Sequence, residues 1–211
     1  MTDRKHWNAI YTTKTPGDLS WFRPHLDRSL AFVEAANVAR DAAIIDVGGG
    51  TSTLVDDLLD RGFTNVTVLD LSDAALEAAR ARLGERSSRV RWLCEDVTDA
   101  RLPEHAYDFW HDRAVFHFLR DPAARARYVE AVRRSVKPGG HVVVATFGPH
   151  GPEKCSGLEV MRFSPEGLHA EFGPDFARIS DATEMHETPW GAEQEFVYCY
   201  CRLPEEPGPV T

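Results

Sequence analysis

The sequence is short of the features that mark disulfide-rich and metal-binding proteins. Only four of its 211 residues are cysteine, and no two of them form a CxxC pair. This count and spacing suit neither a disulfide framework nor a zinc site, so we predict no bound metal and a reducing, cytoplasmic setting. Cys199 and Cys201 fall on one face of a strand and, with Cys155, could offer three thiolates to a soft metalloid; small core residues are the simpler interpretation.

Long apolar runs and an excess of basic charge are also missing. No run approaches the length of a membrane span, and the opening "MTDRKHWNAIYTTK" lacks the apolar centre of a signal peptide. The chain carries 24 Lys and Arg against 33 Asp and Glu, a net charge of −9. Binding a nucleic-acid backbone needs a basic stripe, so we expect neither nucleic acid nor a membrane as partner. The expected partner is a small-molecule substrate, with the chain as a monomer or homodimer.

What the sequence does contain is an alternation of short β-branched runs with stretches of helical spacing. The runs cover 42–48, 65–71, 89–96, 107–112 and 141–148. The intervening helices are expected to start at Thr51 or Ser52, at Ser72 and at Asp121, and the spacing of Leu26, Leu30 and Val33 suggests a further helix before the first strand. Such alternation predicts an α/β fold with a doubly wound, mostly parallel sheet covered by helices on both faces.

The end of the chain has a different pattern. Two strand-like runs, 176–187 and 194–203, are separated only by "TPWGAE", a spacing that predicts an antiparallel hairpin at the edge of the sheet. We therefore predict a single domain over 1–204. Its parts are an N-terminal helical lid segment (1–40), a cofactor-binding core (41–148) and a substrate loop with the hairpin (149–204), followed by a frayed tail at 205–211.

The stretch "IIDVGGGTS" (44–52) places three glycines where a buried strand gives way to a helix. A plain turn needs about one glycine, whereas three allow a ligand to approach the bare backbone at the carboxyl end of a strand. A dinucleotide fingerprint would need a further glycine where Thr53 stands. Asp46, just before the glycines, would repel a phosphate but could orient an amino group. The ligand is therefore unlike a dinucleotide.

Acidic residues end the next two predicted strands. Asp70 follows Gly50 by twenty residues, a spacing suited to a carboxylate that accepts from ribose hydroxyls. Asp96 ends the third strand, where it can accept from the amine of an adenine. A nucleoside that carries an amino acid and a positive centre, without phosphate, would satisfy all three acids, and S-adenosylmethionine has this structure.

These residues resemble the successive motifs of the class I S-adenosylmethionine-dependent methyltransferases. The segments that carry the resemblance are "IIDVGGGTS", "VTVLDLS", "CEDVTD", "YDFWHDRAVFHFL" and "VKPGGHVVVATF". It implies a Rossmann-like seven-stranded sheet and S-adenosylmethionine as cofactor, with S-adenosylhomocysteine as product. The cofactor-binding residues that it implies are Asp46, Gly48, Gly49, Gly50, Ser52, Asp70, Leu71, Asp96, Val97 and Trp21. Ser52 stands where many members carry glycine.

The methyl acceptor should lie beside the segment "WHDRAVFHFL" (110–119), after the fourth strand. His117, His111 and Asp112 are the candidate catalytic residues, with His117 as a possible general base. A semi-buried structural histidine is the alternative at His117, and an ion pair with Arg113 is the alternative at Asp112. The candidate substrate-binding residues are Phe22, Arg113, Phe147 and Trp190.

Two further segments are candidates for covering the site. The connection 148–165 lacks a clear pattern, which is typical of a binding loop, and holds His150, Lys154 and Cys155. Trp21 and Phe22, in "DLSWFRPHL", would fold over the cofactor as part of the lid.

Three functions are compatible with this sequence. The favoured one is methyl transfer to a small molecule, such as a thiol or another soft nucleophile, because the chain has no separate substrate domain. A protein lysine N-methyltransferase is the first alternative. A module that binds S-adenosylmethionine without catalysis is the second.

Overall fold

A computed structural model of the chain describes residues 4–205, so all but the first residue of the predicted tail lies outside the described residues. The helices are α1 (Arg4–Thr13), α2 (Asp27–Ala36), α3 (Leu54–Asp60), α4 (Asp73–Leu83), α5 (Pro122–Ser135) and α6 (Pro165–Phe172). The strands are β1 (Ala43–Val47), β2 (Asn65–Asp70), β3 (Val90–Cys94), β4 (Tyr107–Arg113), β5 (Val136–Phe147), β6 (Lys154–Cys155), β7 (Leu158–Glu159), β8 (Ala177–Glu187) and β9 (Glu193–Arg202).

Seven of these strands form one sheet in the order β3-β2-β1-β4-β5-β9-β8. The first five are parallel, whereas β9 runs antiparallel to β5 and β8 antiparallel to β9. The predicted doubly wound sheet with its C-terminal hairpin is therefore confirmed. Because strand order reverses between β1 and β4, the carboxyl ends of these two strands open a crevice, the usual ligand position in such sheets.

The sheet is covered on both faces, as its β-branched strands predict. Successive residues of β1 alternate between the faces, so Ile44 packs in one apolar cluster and Ile45 in the other. Both are fully buried. At about 25 cal/mol for each Å² of apolar surface removed from water, these two clusters supply the main stabilisation of the fold.

The predicted helix starts at Ser72 and Asp121 are confirmed. Ser72 precedes α4 and its Oγ accepts from the Ala75 N–H at 3.2 Å. Asp121 caps α5 in the same way, with Pro122 at the first helical position. The predicted start of α3 at Thr51 or Ser52 was wrong. The Ser52 N–H donates to Gly49 O at 2.6 Å, so the chain is still turning there and the helix begins at Leu54.

Helix α1 lies in the polar opening of the chain, within the predicted N-terminal helical segment 1–40. Helix α6 was not predicted; it begins after the cap Ser164 with Pro165 in its first turn. The connection 148–165 is also not a featureless loop, because β6 and β7 form a short hairpin within it. Strand β5 starts at Val136, earlier than expected, because a register shift against β4 accommodates the Pro138-Gly139-Gly140 stretch.

In residues 4–205, no helix is long and apolar enough to cross a membrane.

Candidate active site

The glycine turn after β1 forms the floor of the crevice. Gly48 and Gly50 have positive φ angles of 66° and 40°, which glycine adopts without strain. A Cβ on Gly49 would come within 2.7 Å of Asp46 Oδ2, and one on Gly48 within 1.9 Å of a Val115 methyl. Side chains are thus excluded from this turn both by backbone conformation and by close neighbours, so its backbone remains open to a ligand.

Two connected pockets lie over this floor and share Tyr11, Trp21, Gly48 and Arg113. We call the two together the strand-end cavity. The predicted site residues that line it are Phe22, Asp46, Gly48, Gly49, Ser52, Asp70, Leu71, Asp96, Val97, Trp21, His111 and Arg113. Gly50 lies next to it, since a Cβ there would be 2.9 Å from Asp70 Oδ2. The structure therefore brings together every residue predicted to bind the cofactor.

Asp70, at the end of β2, is the most perturbed acid in this cavity. Its pKa is raised to about 7, chiefly because burial disfavours the charged carboxylate; the neighbouring Asp46 adds to the rise. The Ser72 N–H, 2.7 Å from Oδ1, opposes it. Hydroxyl donors from a bound ribose would favour the charged form. A buried carboxylate whose charged form is destabilised in this way is suited to accept hydrogen bonds from ligand hydroxyls.

Only one of the two carboxylate oxygens of Asp46 has a hydrogen-bond partner within residues 4–205. Its Oδ1 lies 2.7 Å from His111 Nδ1, whereas its buried Oδ2 has no partner among the described residues. The unpartnered oxygen is close to Gly49 and belongs to the lining of the cavity. A cationic or amino group of a ligand would satisfy it, and this fits the prediction for Asp46.

Asp96 and Val97 lie at the opposite end of the cavity, after β3. Asp96 Oδ1 accepts from both the backbone N–H and the hydroxyl of Thr98, at 2.9 and 2.8 Å. These bonds fix the acid at the mouth of the cavity, while Val97 is 5% exposed and supplies an apolar wall. Asp96, as a hydrogen-bond acceptor, and Val97, as an apolar contact, are together suited to a purine ring.

Aromatic side chains cover the cavity. We define the aromatic lid as Trp7, Tyr11, Trp21 and Phe118, whose ring centroids lie 5.1 to 6.3 Å apart in four pairs. Trp7 and Tyr11 are four residues apart in α1 and so share a helix face. The α1 helix is held down at Asn8, whose Oδ1 accepts from the Ser72 hydroxyl at 2.7 Å.

The predicted catalytic role of His111 is not supported by its geometry. The residue is 1% exposed, and both ring nitrogens are bonded: Nδ1 to Asp46 and Nε2 to Ser29 Oγ at 2.8 Å. No lone pair remains for a substrate. His111 instead orients Asp46.

Asp112 is likewise committed to structure. It is fully buried and accepts from the Val115 and Phe116 N–H groups and from the Tyr128 hydroxyl, at 2.8, 3.1 and 2.7 Å. The expected ion pair with Arg113 was wrong, because neither residue bonds the other. The two backbone bonds fold the turn that carries Ala114, which has a positive φ of 75°. This turn places Val115 against Gly48.

His117 is buried behind the cavity and does not line it. Its Nδ1 accepts from the Phe147 N–H at 3.3 Å, and its Nε2 has no partner within residues 4–205. Burial, with a smaller contribution from Arg113, lowers the pKa of His117 to about 3. A ring with this pKa is a weak proton acceptor, so the structural alternative is favoured over the general base.

Arg113 lines both pockets and its guanidinium is incompletely bonded. Nε donates to the Tyr198 hydroxyl and Nη1 to Trp21 O, both at 3.2 Å. Its Cζ lies 4.1 Å above the Phe196 ring. Nη2 is buried without a partner in the described chain. Of the predicted substrate-binding residues, this one has a free donor beside the cavity.

Two predicted substrate-binding residues are not at the site. Phe147 is fully buried in the core, packed on Phe196 and His117. Trp190 lies at the turn between β8 and β9 with 59% of its surface exposed, outside the lining of the cavity. Aromatic character alone did not distinguish these core and turn residues from residues that line the cavity.

The cysteines are also divided between environments. Cys155, on the β6–β7 hairpin, lines the cavity, whereas His150 and Lys154 are exposed. Burial raises the pKa of the Cys155 thiol to about 12, which keeps it protonated. Cys199 and Cys201 share a face of β9, as predicted, with their sulfurs 3.1 Å apart. They belong to the apolar cluster on the other face of the sheet from Cys155, so the three thiols do not meet.

Ser29 and Tyr198 contribute to the site but were not predicted, and Trp7 and Tyr11 were covered only by the predicted lid segment 1–40. Trp7 and Tyr11 had a usable signal, their i, i+4 spacing within a segment rich in helix-compatible residues. Ser29 and Tyr198 had none, because each reaches the site through a tertiary contact with His111 or Arg113.

Comparisons with known proteins agree with this architecture. Residues 44–140 match a family described as "Methyltransferase domain". The ubiquinone biosynthesis O-methyltransferase of Alkalilimnicola ehrlichii is 35% identical over 162 residues, 73% of this chain and 60% of that relative. The EEF1A lysine methyltransferase 2 of Danio rerio is 27% identical over 157 residues, 68% of this chain and 67% of that relative. The chain spans about two thirds or less of these relatives.

A solved structure from the conversion of a disulfide bond into a thioacetal group during echinomycin biosynthesis has the same fold. The superposition covers 97% of this chain and 94% of the other, with a TM-score of 0.76 and 19% identity. Together, the sheet order, the strand-end acids and the family match support the assignment of the chain to the class I S-adenosylmethionine-dependent methyltransferases. The cofactor of this family is S-adenosylmethionine, which supplies a methyl group on a sulfonium centre.

Proposed function

We propose that this protein transfers the methyl group of S-adenosylmethionine to a small molecule enclosed beneath the aromatic lid. The observation that carries the proposal is the aromatic lid over the strand-end cavity. Trp7 packs on Phe118 and Trp21 at 5.1 and 6.0 Å, and Cys155 closes the same cavity from the β6–β7 hairpin. A partly covered, mainly apolar cavity favours a compact acceptor over the side chain of a folded protein.

The contribution of the chain to this reaction is position rather than covalent chemistry. Asp70 would hold the ribose, the glycine turn would admit the amino-acid end against Asp46, and Asp96 with Val97 would meet the adenine. Holding donor and acceptor in line converts an encounter between two molecules into a reaction within one complex, which supplies much of the rate enhancement of such enzymes. The lid excludes water from the same space.

A protein lysine methyltransferase is the second candidate. The sequence similarity to a lysine methyltransferase supports it, as do the Trp and Tyr rings over the cavity, because such rings attract an ammonium group. This function requires the lid to admit a lysine side chain from outside.

Two measurements test these candidates. Titration calorimetry with S-adenosylmethionine tests cofactor binding, and no heat from the wild-type protein would exclude both candidates. Release of S-adenosylhomocysteine is then followed with a panel of small thiols, phenols and amines, in parallel with extract proteins. Turnover only with small molecules supports the first candidate; methyl label only in protein supports the second. Binding without turnover on either panel would support the non-catalytic module instead.

A further inference from the structure

Arg113 lines both pockets of the strand-end cavity and ends β4, which lies in the sheet between the strands that carry the cofactor acids and β9. Its partners, Tyr198 and Phe196, lie on β9, on the other side of the crevice from Asp70 and Asp96. Within residues 4–205, the hydrogen-bond partners of this cation are two neutral oxygens, and Nη2 has none. A buried charged donor left in this state favours an anionic partner.

The position of Arg113 is held from behind by a hydrogen-bonded chain. The Tyr198 hydroxyl accepts from Arg113 Nε and donates to Glu184 Oε2 at 2.7 Å. Glu184 Oε1 in turn accepts from Arg23 Nη1 at 2.9 Å. The Glu184 carboxylate is thus occupied by Tyr198 and Arg23, and the charge of Arg113 remains available to a ligand.

The groups around Arg113 are not suited to take a proton from an acceptor. His117 and His186 have pKa values lowered to about 3 and about 4, in both cases mainly by burial. The Cys155 thiol, with its pKa raised to about 12, is protonated and does not act as a base. Asp112 is bonded to three donors, and Glu184 is bonded as described above. The remaining lining carboxylates stand at the cofactor end, on the strand ends of β1 to β3.

We propose that the methyl acceptor enters this cavity already deprotonated and reacts as an anion, its charge held by Arg113 Nη2. Small thiolates, phenolates and hydrosulfide are acceptors of this class. This inference rests on the proposed function. In the transfer, a lone pair of the anion forms the bond to the methyl carbon as the carbon–sulfur bond breaks and its electron pair goes to sulfur. No proton leaves in this step, because the acceptor lost its proton to water before binding.

The first test is direct binding, independent of turnover. The protein saturated with S-adenosylhomocysteine is titrated with 4-nitrophenol at a pH where the phenol is ionised and at one where it is neutral. We expect the ionised form to bind at least about tenfold more tightly, and Arg113→Met to abolish that preference. Arg113→Lys should restore part of it. Arg86→Met, which removes a surface arginine that pairs with Asp60, is the matched control and should bind as the wild type does.

The second test is turnover with benzenethiols and phenols of graded acidity. We expect kcat/KM to rise with pH and level off near the pKa of each acceptor, and to fall about a hundredfold in Arg113→Met. Tyr198→Phe keeps the ring and removes the hydroxyl bonded to Arg113, so it should show a smaller loss of the same kind. This variant keeps the inference testable if Arg113→Met does not fold.

Three results would overturn the inference. One is equal binding of neutral and ionised phenol by the wild type; another is turnover confined to neutral amines, which would leave the proposed function intact. The third is a selective loss in Arg113→Met of affinity for S-adenosylhomocysteine but not for 5′-methylthioadenosine, which lacks the amino-acid end. That result would show that Arg113 Nη2 binds the carboxylate of the cofactor and not the methyl acceptor. Failure of the wild type to bind S-adenosylmethionine would instead refute the proposed function.

Discussion

His111 and Asp46 are register partners on the neighbouring strands β4 and β1, and their side chains meet with Nδ1 2.7 Å from Oδ1. The pair is almost completely buried, and Ser29 of α2 binds the other ring nitrogen. One carboxylate oxygen is thereby fixed, and the other is presented to the cavity. The histidine acts on the cofactor site through the aspartate.

This relationship predicts the effect of His111→Leu. The substitution leaves Asp46 and Ser29 buried without their partner, so the free energy of unfolding should fall by about 3 kcal/mol in urea titrations. Affinity for S-adenosylhomocysteine should fall with it, because Asp46 loses its fixed orientation. Ser29→Ala, which removes only the outer bond, should cost about 1 kcal/mol. Equal stability of His111→Leu and wild type would contradict the assignment.

Asp70→Asn should weaken the cofactor complex and remove its pH dependence. Because ribose hydroxyls donate to the charged carboxylate, affinity of the wild type should rise as pH increases through about 7, the pKa of the buried acid. The asparagine variant should bind about tenfold more weakly at pH 8, with little change between pH 5.5 and 8. Calorimetry with S-adenosylhomocysteine measures both. An unchanged pH profile in the variant would assign the titration to another group.

The same substitution should stabilise the protein without ligand. The pKa of Asp70 rises from 3.8 in the unfolded chain to about 7 in the fold, so its contribution favours the fold at low pH and is lost as pH rises between these values. The cost approaches about 1.4 kcal/mol for each pH unit in this window. Asp70→Asn should therefore unfold at higher urea concentration than wild type at pH 8, with the difference reduced at pH 4.

His117→Gln should make the fold less sensitive to acid. Burial lowers the pKa of His117 from 6.5 to about 3, so the unfolded chain binds a proton over this range and the fold does not. Stability from this group is present above pH 6.5 and is lost as pH falls toward 3. Urea titrations at pH 7 and pH 4.5 should show a smaller acid-induced loss in the variant. If turnover of His117→Gln falls while its loss of stability between pH 7 and pH 4.5 matches that of the wild type, the predicted catalytic role of His117 is favoured.

Asn8→Ala should loosen the aromatic lid without disturbing the sheet. Loss of the bond to Ser72 removes about 1 kcal/mol from the docking of α1. Hydrogen exchange of residues 4–13 should become faster, while exchange in β1 and β4 is unchanged. KM for the acceptor should rise severalfold because Trp7 and Tyr11 are less well held. Thr12→Ala, on the same helix with only a local bond to Asn8 O, is the control and should show none of these effects.

The fold and the cofactor end of the site were largely predictable because their signals are local. A strand period, a cap such as Ser72 and the residues just after a strand end all lie within a few positions of what they determine. The carboxyl ends of parallel strands meet by geometry, so Asp46, Asp70 and Asp96 could be assembled without knowing the packing.

The acceptor end was less predictable because its properties come from contacts distant in sequence. His111 is occupied by Ser29, 82 residues away, and Arg113 is held by Tyr198, 85 residues away. Neither Ser29 nor Tyr198 lies in a sequence motif that would indicate this contact. Burial also changed the chemistry of His117 and Cys155, and burial of a single polar residue does not follow from its neighbours in sequence.

One hydroxyl joins α1, which carries two residues of the aromatic lid, to the start of α4. Ser72 Oγ accepts from the Ala75 N–H at the start of α4 and uses its single hydrogen for Asn8. The first bond uses an oxygen lone pair and the second uses the hydroxyl proton. Water can therefore replace Asn8 as the acceptor while the cap at the start of α4 remains. Loss of the Asn8 bond would therefore leave the start of α4 capped, so sequence changes in α1 can alter its docking at this point without loss of that cap.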